Sequence, residues 1–598
     1  MFFGLQLLLV ACFLALSPLA KGAEYHVDQG SRAASDENAG SSQKPFKTIS
    51  AAAAKVQAGD KVIIHGGDYR ETVVIKGSGT EEAPILFEAA PGEKPVIKGS
   101  DRISQWTSDG GAVWKTILRV PPPRGASDNG PAYWDTNDVR QVFTHDGTVF
   151  DARHLLRVTA RDAMKEGSFF CDKAASTLYV WLPASASPVA HPPEASVRGA
   201  WLNIYGNYII IRGLEMRHAS TTAIANWPAC NLKGNDITLE NCTISWGDFV
   251  GVSMSGTGNS LRNCLIACNG DSGIGGTGEK HTIEGCRVVY NNIDRYDPGW
   301  HAGGAKLIPR FNHGTIRHNE FAHNLGPGLW LDSACDGNVI DGNLCHDNEG
   351  PGIMVETSRD NLVMNNICYA NRNGLSGPYR DSKGALAEKE ISKNRIGPLR
   401  LLKLYHAGDG RGIYVSSAPA TKVIYNTCYL NEAEGICVEG PPREAGSEKM
   451  TTRDETVANN ISVFNKGSQL TLHQPAPDET PTASDHNILF AVGAVFAKYG
   501  WQGPVAMSMP EWQKTSSQDA HSLDTDPRFA MAAMDDFRVF PNSPALGAGT
   551  AIPEADHDFF GHPRGKEKTT IGACEQPAEN YPEPLWQSLS ITIASDRR

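Results

Sequence analysis

The chain has 598 residues, 40% of them hydrophobic and 20% charged, with 60 glycines and a formal net charge of −12. An acidic balance of this size argues against nucleic acid or an anionic membrane surface as the main partner, since both attract cations. It leaves room for a glycan, and no stretch beyond the first two dozen residues is apolar for long enough to span a bilayer.

Taken in chain order, the opening MFFGLQLLLVACFLALSPLAKGA is an apolar run that closes on small residues. That is the layout of a secretory signal peptide, assigned to residues 1–22, and it predicts a secreted or periplasmic protein. The stretch PFKTISAAAAKVQAGDKVIIHGGDYRETVVI predicts an amphipathic helix over 49–56 followed by short strands, so that residues 23–104 form an N-terminal cap and the first coils of a repeat. Residues 105–203, with GAVWKTILRV, RQVFTHDGTVFDARHLLRV and STLYVWLPA, predict ordinary antiparallel strands and an inserted β-sandwich-like module.

From residue 204 to 475 the chain repeats. A glycine followed by alternating residues recurs at Gly251, Gly273, Gly304, Gly328, Gly352, Gly412 and Gly435. The uninterrupted intervals are 22, 24, 24 and 23, and intervals of 31 and 60 leave surplus residues, at 275–303 and 372–411, that must leave the stack as loops. A second phrase tracks the first, with Asn241, Asn263, Asn319, Asn343, Asn366, Asn426 and Asn460 each preceding a short apolar strand. Short alternating strands, Asn and Gly at the corners and a period near 23 predict an all-β fold, the right-handed parallel β-helix, with the Asn forming a hydrogen-bonded ladder at a bend. The glycosylation-type triplets at Asn241 and Asn460 are discounted because both Asn are assigned to that ladder. Residues 476–598 supply the last coils and a C-terminal cap.

Thirteen cysteines are present, twelve of them beyond the signal segment. Cys242, Cys264 and Cys286 recur at intervals of 22, and Cys345 and Cys368 are 23 apart. One residue type repeating once per coil predicts stacked, reduced core thiols rather than scattered disulfides. No Cys or Cys/His spacing suits zinc.

Strand parity selects the residues that could do chemistry. Leu329 and Leu331 match Ile353 and Val355, then Ile413 and Val415, then Ile436 and Val438, and these point inward. The outward column is therefore Lys306, Trp330, Met354, Tyr414 and Cys437, beside a second column of Ile308, Asp332, Glu356, Ser416 and Glu439. Asp332 and Glu356 fall one coil apart, about 4.7–4.9 Å by strand spacing. Two carboxylates that close repel unless they share a cation or split a proton. A proton-split pair is what a retaining glycosidase requires, with carboxyl groups roughly 5–5.5 Å apart. Trp330 is expected to offer a stacking face and to raise one carboxyl by desolvation. Lys306, Tyr414, Trp300, His301 and Glu439 are candidate substrate-binding residues, and Tyr379 is a candidate loop contact. The alternative from the same residues is solvated acids on an outer face.

The opening YHVDQGS…PFKTISAAAAKVQAGDKVIIHGGDYRE is similar to that of secreted β-helix proteins of the pectate-lyase-like superfamily. The module with EGSFFCDKAASTLYVWLP, followed by GGAKL, GLWLD and GIMVE, resembles the β-helix glycosidases of glycoside hydrolase families 120 and 141. That resemblance implies Asp332 as nucleophile and Glu356 as acid/base, with an oligo- or polysaccharide as partner. The phrase ETSRDN after Val355 departs from the family pattern and leaves the substrate open. Two classes are carried forward: a retaining hydrolase acting on a plant or algal glycan without a cofactor, and a polysaccharide lyase with Lys306 as base and Ca2+ held by Asp332 and Glu356. A non-catalytic glycan-binding β-helix is the third.

Overall fold

The computed structural model describes residues 22–120, 139–145, 147, 149–150, 153–221, 228–373, 410–445, 447–476, 479–500 and 502–578. Residues 1–21 of the expected signal segment, Tyr379 and most of the 372–411 excursion lie outside the described residues. Three long sheets run the length of the molecule, two of 13 strands and one of 12 among the described residues. Successive coils contribute one strand to each sheet, and neighbours pair in parallel and in register, as in Leu329↔Ile353 and Cys345↔Cys368↔Cys428. No strand can bury its inward face alone, so stability comes from stacking. A single continuous core results, from Val27 and Phe46 at one end to Trp512 at the other.

Both ends are closed. Thr48 Oγ1 accepts from the Ala51 amide and starts a helix at Ile49–Ala53, shorter than the 49–56 expected, which places Ile49, Ala52 and Ala53 on the first coil. At the far end the Met509–Ser516 helix adds Met509 and Trp512 to the same core. Residues after the last coil return along the outside, where Phe537, Phe559 and Cys574 pack on Leu344, Ile367 and Tyr369.

The insertion contains two sheets. One joins Ser100–Arg102, Val142–His145, Arg153–His154 and Glu194–Ser196; the other joins Thr107–Ser108, Val113–Ile117, Leu156–Val158, Ser168–Asp172 and Thr177–Trp181. They share a small core around Trp106, Val142, Phe169 and Val180. Its root is held by Glu194, to which Ser100 Oγ donates at 2.7 Å; burial raises this carboxyl, but the His218 and Arg70 hydrogen bonds and the charge of Lys98 hold it well below the usual carboxylate range.

Two sequence expectations are corrected. The ladder of buried asparagines is real from Asn319 onward, each Nδ2 donating to the next Oδ1 at 2.9–3.1 Å through Asn343, Asn366, Asn426, Asn460 and Asn487. Asn241 and Asn263, however, are exposed corner residues in the left-handed conformation, one position too early. The ladder place in those coils belongs to Cys242, Cys264 and Cys286, and the Cys286 amide donates to Asn319 Oδ1. The ground for discounting the Asn241 triplet therefore falls away. A second ladder, Asn269, Asn291, Asn324, Asn348, Asn371, Asn431 and Asn465, was missed. The 275–303 excursion is also narrower than expected, because strands at Ser272–Glu279, Thr282–Glu284 and Arg287–Val289 complete an ordinary coil and leave only about a dozen residues before Gly303.

All twelve described cysteines are buried, and none of them is in a disulfide. The repeated glycine has a steric cause: a Cβ on Gly328 would lie 2.7 Å from the Gly352 carbonyl oxygen, and one on Gly304 would lie 2.4 Å from that of Gly328.

Candidate active site

The sheet that carries the repeated glycines places Gly303–Asn312, Leu329–Asp332, Ile353–Glu356, Ile413–Ser416 and Ile436–Val438 side by side. Lys306 lies opposite Trp330, Trp330 opposite Met354, Met354 opposite Tyr414 and Tyr414 opposite Cys437. Asp332 lies directly opposite Glu356. The Ile353–Glu356 strand pairs straight onto Ile413–Ser416, so the long excursion inserts no coil. Glu439 follows the next strand, two rungs beyond Glu356.

Outward does not mean exposed here. Trp330, Met354, Tyr414 and Cys437 form their own buried cluster outside the coil. Glu356 is 3% exposed and Lys306 4%, while the Asp332 side chain keeps 15%. The two carboxylates thus have different surroundings. Lys306 Nζ stands 3.1 Å from Asp332 Oδ2, donates to the Trp300 carbonyl at 2.7 Å and lies 3.3 Å above the centre of the Trp330 ring. Ser333 Oγ donates to Asp332 Oδ1 at 3.1 Å. On the next rung Trp330 Nε1 donates to Glu356 Oε2 at 3.1 Å, and Arg443 Nη1 pairs with Glu356 Oε1.

Burial, and next the charge of Asp332, push the Glu356 carboxyl up to about 7, against the opposing pull of Arg443, Lys306 and the indole hydrogen bond. Burial pulls the Lys306 ammonium down from its ordinary value, opposed by Asp332 and then Glu356. One carboxylate held by an ammonium beside one carboxyl that keeps its proton near neutrality is the arrangement that separates an anionic from an acidic role.

The remaining candidates fall around this pair in different ways. His301 Nδ1 sits 2.6 Å from Asp271 Oδ1, and Asp271 is fully buried with Ser272 Oγ donating to the same oxygen at 2.8 Å. The His301 ring stacks on Phe249, and Trp300 beside it is 40% exposed. Tyr414, expected as a substrate contact, is fully buried under the Arg411 guanidinium, 4.3 Å from its ring centre. Trp330, expected to offer a stacking face, has Lys306 over one face and its N–H committed to Glu356. Glu439 pairs with His473 Nδ1 at 3.0 Å. Sequence reasoning missed Arg443 and Asp271. Arg443 arrives on a hairpin, Arg443–Ala445 with Glu448–Met450, 87 residues after Glu356 and outside the repeat, so no periodic signal marks it.

Ca2+ takes roughly six to eight oxygen ligands. The described charged groups against Asp332 and Glu356 are the cations Lys306 and Arg443, with the Trp330 indole as a donor and the hydroxyls of Ser333 and Ser416 beside them, so this set does not suit Ca2+. Two His/Asp groups with metal-ligand proximity lie elsewhere: His323, His346 and Asp347, and Asp485, His486 and His521. In the first, His346 is raised to about 9 by Asp347 and Glu320 despite its burial, which favours the imidazolium over a metal ligand.

With this geometry in place, comparison with known proteins fixes the class. The fold is the right-handed parallel β-helix. A family model described as "Right handed beta helix region" matches residues 229–377, and one described as "Periplasmic copper-binding protein (NosD)" matches 305–469. The solved complex of XylC with xylose superposes with a TM-score of 0.61 at 18% identity, covering 92% of this chain and 98% of that one, which is a likeness of fold. Among curated proteins, the chain is 45% identical over 65 residues to the uncharacterized protein YwoF of Bacillus subtilis (11% of this chain, 14% of that one). It is 24% identical over 260 residues to pectate lyase PEL9 of Emericella nidulans (40% of this chain, 60% of that one). The chain thus spans less than two thirds of the length of either curated relative. Among the described residues no helix is long and apolar enough to cross a membrane.

Proposed function

We propose that this protein is an exported carbohydrate-active enzyme, a retaining glycoside hydrolase acting on a plant or algal oligo- or polysaccharide, with Asp332 as nucleophile and Glu356 as acid/base. The observation that carries this is the in-register pair with unequal surroundings, Asp332 against Lys306 Nζ at 3.1 Å and Glu356 buried and raised to about 7. Adjacent rungs bring the carboxyl groups near the separation a double displacement needs. Ionised Asp332 attacks the anomeric carbon while the Glu356 carboxylic acid gives its proton to the departing glycosidic oxygen. The Glu356 carboxylate then takes a proton from water, which attacks the anomeric carbon and releases Asp332. Lys306 sets a counter-charge against Asp332 at 3.1 Å, and Trp330 fixes the orientation of the acid. The likeness of fold to the XylC–xylose complex supports a glycan as substrate, and the apolar opening segment supports export.

The test is chromophore release from a panel of aryl glycosides by the wild type, Asp332→Asn and Glu356→Gln, with the anomer of the first product followed by NMR. Retained configuration, loss of turnover in Asp332→Asn, and rescue of Glu356→Ala by azide as the glycosyl azide are expected. Turnover unchanged in Asp332→Asn overturns the assignment.

One observation favours a second reading. The buried Lys306 has a lowered ammonium pKa, which suits a base that abstracts a proton in a polysaccharide lyase. Unsaturated products absorbing in the near ultraviolet, abolished in Lys306→Met, would establish that chemistry instead. Glycan binding without turnover of any member of the panel leaves the non-catalytic role.

A further inference from the structure

We propose that the Arg443 guanidinium binds an anionic substituent, a uronate carboxylate or a sulfate ester, carried by the sugar on the leaving-group side of the scissile bond. The side is assigned from the role of Glu356 as acid/base and rests on that reading; the anion site itself does not.

Arg443 leaves the helix immediately after Gly440, Pro441 and Pro442, on a hairpin whose other strand, Glu448–Met450, is tied back by the Arg359–Glu448 ion pair. The hairpin sets the guanidinium against Glu356 Oε1, with 32% of the Arg443 side chain exposed where the Glu356 side chain has 4%. One of five N–H donors meets the carboxylate, and among the described residues no second acid meets the rest. The guanidinium is therefore the group at this carboxyl that is both cationic and open to solvent.

Five other described cations around this face have acidic partners. Lys306 faces Asp332 at 3.1 Å, Arg411 and Lys498 share Glu434 at 2.7 and 2.8 Å, His473 faces Glu439 at 3.0 Å, and Arg359 faces Asp336 and Glu448. Arg443 is matched only while Glu356 is ionised. Whenever Glu356 is protonated, Arg443 has no acidic counter-charge among the described residues. An anion on the incoming sugar supplies it, and the planar fork of the guanidinium fits a carboxylate or sulfate with two parallel hydrogen bonds.

Binding of the anion and protonation of Glu356 then favour each other. The groups facing Glu356 are Asp332, Trp330 and Lys306 from the preceding rungs, Ser416 and Tyr414 from the following one, and Arg443 from the hairpin. Of these, Arg443 alone is open enough to exchange its partner.

Isothermal titration of the full chain with glucuronate, galacturonate, galactose 6-sulfate, glucose and galactose, at pH ~5.5 and pH ~8.5, tests this. The better anion should bind about tenfold more tightly than its neutral counterpart at the lower pH. That advantage should shrink at the higher pH, where Glu356 competes for Arg443. The carboxylate and sulfate arms decide which anion fits. The advantage should vanish in Arg443→Gln and persist in Glu448→Gln, which loosens the same hairpin without touching the guanidinium. Equal binding of charged and neutral sugars, binding of none, or a charge preference that survives Arg443→Gln overturns the proposal. A preference lost in Arg443→Gln, in a protein whose aryl glycoside turnover is unchanged by Glu356→Gln, keeps the anion site and rejects the catalytic assignment.

Discussion

The charge of Asp332 is one of the two causes that raise Glu356, so removing it should lower the Glu356 pKa by an amount the structure bounds. The two side chains face each other across one rung, about 4.8 Å in a parallel sheet. At that separation two unit charges interact by about 3.5 kcal/mol at an effective dielectric of about 20, and by about 0.9 kcal/mol in bulk water. Asp332→Asn should therefore bring the Glu356 midpoint down by roughly 0.6 to 2.5 pH units. The variant is expected to lose turnover, so the assay must not depend on catalysis. Trp330 Nε1 donates to Glu356 Oε2, and its indole ¹⁵N–¹H resonance, assigned by comparison with Trp330→Phe, reports the state of that carboxyl. Arg443→Gln is the control of opposite sign, since the guanidinium holds Glu356 down. A wild-type midpoint near that of an unperturbed glutamate, or a midpoint that rises in Asp332→Asn, would refute the electrostatic account of the pair.

Other consequences follow from the same structure. Because Glu356 binds a proton more tightly folded than unfolded, its stabilising contribution is present below the unfolded value and lost as pH rises through about 7; the urea midpoint of the wild type should fall over that window relative to Glu356→Gln. Asn343→Ala removes donors to the Ile316 carbonyl and Asn366 Oδ1 and the acceptor of Asn319 Nδ2. Leaving such buried groups unpaired costs about 1–3 kcal/mol each, so denaturant melts should show a loss of at least that size, and a neutral substitution would contradict the ladder's role. Gly328→Ala forces a Cβ to 2.7 Å from the Gly352 carbonyl oxygen, and a clear drop in melting temperature is expected. The native protein should react slowly with Ellman's reagent and rapidly once unfolded, since every described thiol is buried; fast native labelling would contradict the packing.

Much of this protein was legible in the sequence because a solenoid writes its geometry as a period. The interval of 24 between Asp332 and Glu356 is one coil, and strand parity alone put both outside the core, as the register does. The same reasoning failed by one residue at Asn241 and Asn263. A corner Asn in the left-handed conformation and a ladder Asn look alike in sequence, and in those coils a cysteine stands in the ladder place.

What the sequence by itself determined is thus the repeat, the inward columns and the pairing of two acids on adjacent rungs. Only the tertiary structure decided how much water reaches them. Parity states which way a side chain leaves the coil, but burial depends on what chain returns to cover it, and that comes from outside the repeat. The Arg443 hairpin reaches Glu356 across 87 residues and His301 reaches Asp271 across 30, contacts that no period encodes. The unequal fates of Asp332 and Glu356 follow from those neighbours, because the charge state of a carboxyl is set by its local solvation and counter-charges and not by its place in the repeat.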